Sequence, residues 1–398
     1  MDGSKELAYT DLEWAIGINR ISLKIIGLWP DAKLNHRQKL LADLRVLIVF
    51  ILITCVLIIP GILALLRVWG DMMAMTDNIQ INLPVIVNVM KVLLIRFHKK
   101  DLEPVINMIV EDWLRTKTAR ERDIMIEQTR TARMIVLFGC IMIVISGTIS
   151  VVPPILGYST AYLTNLTDSG RPLLLPTYYL RDILETPYYE IVFVAQSAAI
   201  SLGALSYSGI DTFLSLLVFH IGAQLEIIKG QLLNLDDFKD FSIGLAFSVK
   251  HHLRLLRCVD VIDNTFNLML LALLMYFAVL FCLQGFVIVT MIDGDNNLSF
   301  LRMTWLLTIL ITAFAHMCLY CAVGEFLIAK GEEIFYAVYN YTWYLRTPNE
   351  AKNLMMLMTR AGKPLYITAG KIFPLTMSLF CSLIKTSVGY LSVLLAIR

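Results

Sequence analysis

The stretch VLIVFILITCVLIIPGILALL, Val46 to Leu66, holds no charged residue and is long enough to cross a lipid bilayer as a helix. Working outward from it, six further apolar segments follow: Met73–Ile95, Met134–Leu156, Tyr189–Ile210, Phe266–Ile292, Met303–Leu327 and Ile372–Ile397. Pro60-Gly61 is expected to kink the first near its end. The second is diluted by Asp77, Asn78, Gln80, Asn82 and Asn88. Backbone polar groups in lipid must be satisfied internally, so each span is expected to be a helix and the fold all-α.

Composition agrees. Of 398 residues 57% are hydrophobic and 17% charged, with mean hydropathy +0.69. A soluble protein carries about 25% charge, so a water-soluble enzyme is excluded, and the balanced net charge of +2 argues against a nucleic-acid partner.

Lys and Arg set the orientation. The segments before span 1 and between spans 2–3, 4–5 and 6–7 hold 27 of them, and the opposite side holds 5. The amino terminus is therefore expected in the cytosol and the carboxyl terminus outside, the reverse of a metabotropic seven-helix receptor. Sequons at Asn165 and Asn297 fall on the outer side, as glycosylation requires. No outer loop carries a cysteine, which excludes an external disulfide framework. The first 40 residues lack a signal-peptide pattern, so span 1 is expected to direct insertion.

Trp14, Ile18, Ile21, Ile25 and Leu28 repeat at helical spacing, consistent either with a helix on the inner membrane surface or with packing against other cytosolic helices. Leu102, Ile106, Ile109 and Trp113 form a second stripe between spans 2 and 3. The organisation read from this pattern is an amphipathic segment 1–45, spans 1–6 with their extensions over 46–328, a cytosolic segment 329–371 and a last span 372–398.

Chemical motifs are scarce. There is no Walker-A loop, no Gly-x-Ser-x-Gly and no His-Glu-x-x-His. Cys318 and Cys321 lie within span 6 with no second pair to complete a metal site, and His251-His252 point about 100° apart on a helix. No enzyme activity, cofactor or metal is expected. Lys91, near the inner end of span 2, is expected to snorkel to the headgroups. Lys385 lies midway along span 7, where a cation facing lipid is costly. Ser378, Ser382, Gly389, Ser392 and Ala396 fall within about 60° of it on a helical wheel, a small polar stripe suited to a water-lined path or to close helix packing.

The carboxyl-terminal third resembles the insect odorant receptor family of ligand-gated cation channels. The likeness rests on Gly324-Glu325, on Ala337, Tyr339, Trp343 and Tyr344, on Lys363-Pro364 through Ala369-Gly370-Lys371, and on Phe373, Phe380 and Ile384-Lys385-Thr386-Ser387. Asp211, His220 and Gln224 at the end of span 4, with Asp112-Trp113 after span 2, also match. Val388-Gly389 departs from the family's usual Tyr-Ser. The resemblance implies a plasma-membrane hetero-tetramer with an odorant co-receptor, in sensory neuron dendrites. It also implies a pore lined by span 7, with an outer gate at Val393 and Ile397 and Ala396 beside them, overlapping only in part the polar stripe of Lys385, Gly389 and Ser392, and a cytosolic anchor built from the inner ends of spans 4–7. The chain lacks the co-receptor's long insertion between spans 4 and 5, so it resembles a ligand-specific subunit.

The family's ligand pocket, in the outer half of the bundle, would draw on Met75, Ile79, Ile145, Ile149, Gln196, Ala199, Phe281, Gln284, Trp305 and Thr308. These residues suit a small, apolar volatile ligand. A gustatory channel of the same superfamily is one alternative. A secondary transporter using Asp211, Glu325 and Lys385 is another, against which stands the lack of repeated halves.

Overall fold

The structure, a computed structural model, describes residues 2–31, 34–155, 173–175, 177–179, 186–238, 240–293 and 300–397. Helices α1 (Asp2–Ile26), α2 (His36–Ile53), α3 (Ile59–Arg67), α4 (Met72–Phe97), α5 (Lys99–Leu114) and α6 (Ala119–Ile155) come first. They are followed by α7 (Tyr188–Leu233), α8 (Phe241–Asp293), α9 (Phe300–Asn340) and α10 (Pro348–Ala361). A two-stranded hairpin, β1 (Thr368–Ala369) and β2 (Phe373–Pro374), then leads into α11 (Met377–Ile397). The seven passes are α2–α3, α4, α6, α7, α8, α9 and α11.

Helices α7, α8 and α9 contain 46, 53 and 41 residues. At 1.5 Å per residue each is about 60–80 Å long, roughly twice the hydrocarbon thickness. The charged segments between the spans are therefore mostly continuations of the membrane helices, and they form a second, water-facing bundle with α1, α5 and α10. The stripe Leu102, Ile106, Ile109 and Trp113 is buried there, as its spacing predicts. Helix α7 is the central post, packed against α1, α4, α6, α8 and α9.

Three local readings change. The break in span 1 precedes Pro60: residues Thr54–Ile58 form a π turn. Proline has no N–H to donate to Val56, four residues back, so the helix rearranges upstream of the ring. The last span starts at Met377, because Ile372 to Thr376 belong to the hairpin and its exit. Third, α1 is apolar on two sides. Leu12, Ala15, Ile16, Leu23 and Ile26 are buried in the bundle, whereas Ile21 and Ile25 remain 60% and 50% exposed.

The polar residues of α4 face inward. Thr76, Asp77, Asn78, Gln80, Asn82 and Asn88 are all buried. Asn88 Nδ2 donates to the Gly203 carbonyl and to Ser206 Oγ, both at 3.0 Å, which joins α4 to α7.

Candidate ligand pocket and pore helix

At the end of the bundle away from α1, Gln196 on α7 is fully buried. Its Nε2 donates to Thr177 Oγ1 at 2.9 Å and to Tyr179 Oη at 3.2 Å, and that hydroxyl donates to the Val56 carbonyl at 3.0 Å. Ala199, almost one turn along α7, is also fully buried. Trp305 of α9 packs with Val287 and Leu306, flanked by Met73 and Ile81 of α4. Phe281 of α8 stands between Phe277 and Phe314, with ring centroids 6.1 and 5.0 Å away. Gln284 lies on the same helix, fully buried, and neither atom of its amide has a protein hydrogen-bond partner. The amide of Gln80 on the facing helix α4 is buried and unpaired in the same way.

Such groups in an apolar interior carry a desolvation cost that a ligand or water hydrogen bond would relieve. The Gln80 and Gln284 amides are thus two buried polar groups with hydrogen-bonding capacity left over.

Other expected pocket residues lie further out. Met75 and Ile79 are half-buried, and Met75 Sδ accepts from the Gly70 amide at 3.3 Å. Thr308 spends its hydroxyl on the Thr304 carbonyl at 2.8 Å. Ile145 is 41% exposed on α6. The side chains of Ile149, Ala396 and Ile397, and all of Asn165 and Asn297, lie outside the described residues. Sequence reasoning did not single out Gln80, Tyr179 and Val287 as neighbours of these residues; for Gln80 the signal was its place among the polar residues that dilute span 2.

Deeper in the bundle, Lys91 does not snorkel. It is fully buried, with Nζ 2.6 Å from Asp211 Oδ1, 3.2 Å from Tyr320 Oη and 3.3 Å above the Tyr207 ring centroid. Lys91 shares the inward face of α4 with Asn88, so it is aimed at α7 and α9, away from the headgroups. The carboxylate, the phenol and the aromatic face together offset its desolvation. The ion pair ties α4 to α7 at mid-bundle.

Helix α11 packs on α8 and α9 through Leu383, Ser387, Phe380 and Ile384. Lys385 projects about 200° from Ser387 around the helix. Ser378, Ser382, Lys385, Gly389, Ser392 and Val393 are all exposed within the protomer. The polar stripe thus faces away from the chain's own bundle.

The start of α11 is held from three directions. Gly324 of α9 lets the Leu375 carbonyl pass where an added Cβ would stand 2.2 Å from it. Glu325 Oε2 accepts from the Met377 amide at 3.2 Å, at the positive end of the helix. Asp263 of α8 accepts from the Thr368 amide at 2.7 Å and its hydroxyl at 2.8 Å, and pairs with Lys371. The turn between the strands needs φ of +64° at Gly370 and +61° at Lys371.

In the water-facing bundle Asp112 of α5 meets His220 of α7 at 3.1 Å and Arg254 of α8. Burial alone would raise the Asp112 pKa; His220 and then Arg254 outweigh it and hold the carboxyl below its ordinary value. Residues grouped above only by motif are here one contact.

The family model described as 7tm Odorant receptor matches residues 71–388, from the cap of α4 into α11. This chain belongs to the odorant receptor family. The resemblance carried by the carboxyl-terminal motifs is thereby borne out, and membership sets the chain among membrane receptors rather than enzymes. Similar relatives include Odorant receptor Or2 of Anopheles gambiae, 24% identical over 226 residues covering 54% of this chain and 58% of that one. Odorant receptor 10 of Aedes albopictus is 22% identical, covering 54% and 57%. These matches span little more than half the length of the curated relatives. The odorant receptor coreceptor of Anopheles gambiae is 24% identical over a shorter stretch, 39% of this chain and 31% of that protein. Among solved structures, the insect olfactory receptor OR5 from Machilis hrabei in complex with eugenol superposes with a TM-score of 0.84 at 16% identity, covering 98% of this odorant receptor and 100% of that chain. The likeness establishes the seven-pass helical fold.

Proposed function

We propose that this odorant receptor is the ligand-specific subunit of a cation channel opened by a small apolar organic molecule, with its amino terminus in the cytosol and its carboxyl terminus outside. The observation that carries the channel reading is the outward polar face of α11. Ser378, Ser382, Lys385, Gly389 and Ser392 are exposed on the side opposite the packed Leu383 and Ser387. A lysine at that depth facing lipid would be costly, whereas around a shared axis the same face borders water.

The pore partner is an odorant co-receptor in a hetero-tetramer, with Val393, Ala396 and Ile397 forming the outer gate. Ligand enters among α4, α6, α7, α8 and α9, where Gln196, Ala199, Phe281, Gln284 and Trp305 supply apolar surface and amide groups, with Met75, Ile79, Ile145, Ile149 and Thr308 at the margins. The solved Machilis hrabei receptor was captured with eugenol, a ligand of this chemical kind. At about 0.3–0.7 kcal/mol per atom, ten to fifteen heavy atoms give affinity near micromolar. Binding opens the pore only to the extent that the pocket prefers the open arrangement.

The test is current recording with and without the co-receptor while a chemically diverse odorant panel is applied. Ligand-evoked cation current that requires both chains is the expected result. Substrate uptake without channel-like current would instead support a transporter. Accessibility of epitopes at both ends in intact cells checks the orientation.

A further inference from the structure

On the α1 side, the end of α1, the first turns of α2 and the start of α5 line a half-open cavity of about 180 Å³. Its walls carry Lys24, Arg45 and Lys99, with Asp31 as the lining carboxylate and Gln38 as a neutral donor. Lys99 Nζ donates to the Gly27 carbonyl at 3.0 Å, and Arg45 Nη1 to the Lys24 carbonyl at 2.9 Å. Lys99 and Arg45 thus each spend one donor on a neutral acceptor, out of three on a lysine and five on an arginine. Among the described residues none of the three forms a salt bridge, whereas nearby Arg96 is matched by Asp43 at 2.8 Å. Burial, and after it the charge of Arg96, pull the Lys99 ammonium below the usual lysine range, partly offset by Asp43, Glu103 and Asp31. The cavity is electropositive and under-compensated.

Its rim is apolar on the α2 side. Leu41 lines the cavity and begins an apolar strip on α2, continued by Leu44, Leu47 and Ile48, all about half exposed. On α1, Ile21 and Ile25, three residues before and one after the lining Lys24, are also exposed. The cavity therefore lies where headgroups give way to acyl chains.

We propose that this cavity binds the phosphorylated headgroup of an anionic lipid, with Lys24, Arg45 and Lys99 on the phosphate oxygens and the acyl chains along α2. The lipid would bridge α1, α2 and α5. Its placement in the inner leaflet rests on the orientation proposed above; the cavity and its chemistry do not.

The experiment is binding of a bisphosphorylated phosphatidylinositol to the purified full-length chain in neutral detergent micelles, read by native mass spectrometry. Phosphatidylcholine serves as the blank and soluble inositol phosphate as competitor. No current is recorded, so failure here is distinct from failure of the channel reading. The phosphoinositide is expected to bind in preference to phosphatidylcholine. Lys24→Gln, which removes no side-chain hydrogen bond among the described residues, is expected to weaken it about five-fold, as is Arg45→Gln. Lys100→Gln, an equal charge change on an exposed residue outside the cavity, is expected to leave binding unchanged. Unchanged affinity in Lys24→Gln, or an equal loss in Lys100→Gln, would overturn the site. Soluble inositol phosphate binding as tightly as the lipid would overturn the lipid assignment in favour of a free phosphate.

Discussion

Tyr179 donates its hydroxyl to the carbonyl of Val56 at 3.0 Å, the acceptor that Pro60, four residues on, cannot serve. The Tyr179 hydroxyl oxygen in turn accepts a hydrogen bond from Gln196 Nε2, so the kink in the first pass is tied to α7 beside the expected pocket. Tyr179→Phe should leave the Val56 carbonyl unpaired and cost about 1–3 kcal/mol. In a Pro60→Ala background the new amide supplies the missing donor, and the penalty should shrink. A double-mutant cycle of detergent-phase melts reads this directly; equal penalties in both backgrounds would mean that the hydroxyl is no substitute donor.

Lys91 and Asp211 form the mid-bundle ion pair. Removing one member strands a buried charge, so Lys91→Met or Asp211→Asn alone should destabilise by about 3–5 kcal/mol and reduce surface expression. The double change Lys91→Met with Asp211→Leu should recover most of that loss. If it does not, the pair does more than neutralise itself.

Asp112 gives the water-facing bundle a defined pH response. Its folded-state pKa lies below the ordinary 3.8, so its contribution is complete above about pH 4 and is lost as pH falls through the lowered value. The stability difference between the native chain and Asp112→Asn should narrow as pH falls below about 4. A difference that grew on acidification would contradict the sign.

Gly324→Ala forces a Cβ to within 2.2 Å of the Leu375 carbonyl and should displace the start of α11. Odorant-evoked current in the co-expressed complex should fall more than surface expression does. Glu325→Ala, which removes only an exposed cap, should cost about 0.3–1 kcal/mol and affect current far less.

Val393 is exposed on α11 in the protomer. If Val393 lines the proposed gate, Val393→Ser should change conductance or cation selectivity through easier wetting. Identical permeability ratios would remove this residue from the gate.

The readings that succeeded from sequence rest on local signals. Seven apolar segments give seven passes because lipid leaves an unpaired backbone no alternative to a helix. The small polar side of α11 and the buried stripe of α5 follow from 3.6-residue periodicity alone. The pocket was less legible: the unpaired amides of Gln80 and Gln284 and the reach of Tyr179 depend on which faces of α4, α7 and α8 meet.

What the sequence determined by itself is the set of passes and their polar and apolar faces, since hydropathy and helical period are properties of neighbouring residues. Tertiary structure decided the partners. Lys91 finds Asp211 across 120 residues, and Asp263 captures Thr368 and Lys371 across more than 100, delaying the last pass to Met377. A buried charge takes whichever counter-charge helix docking presents, and no local pattern encodes that choice.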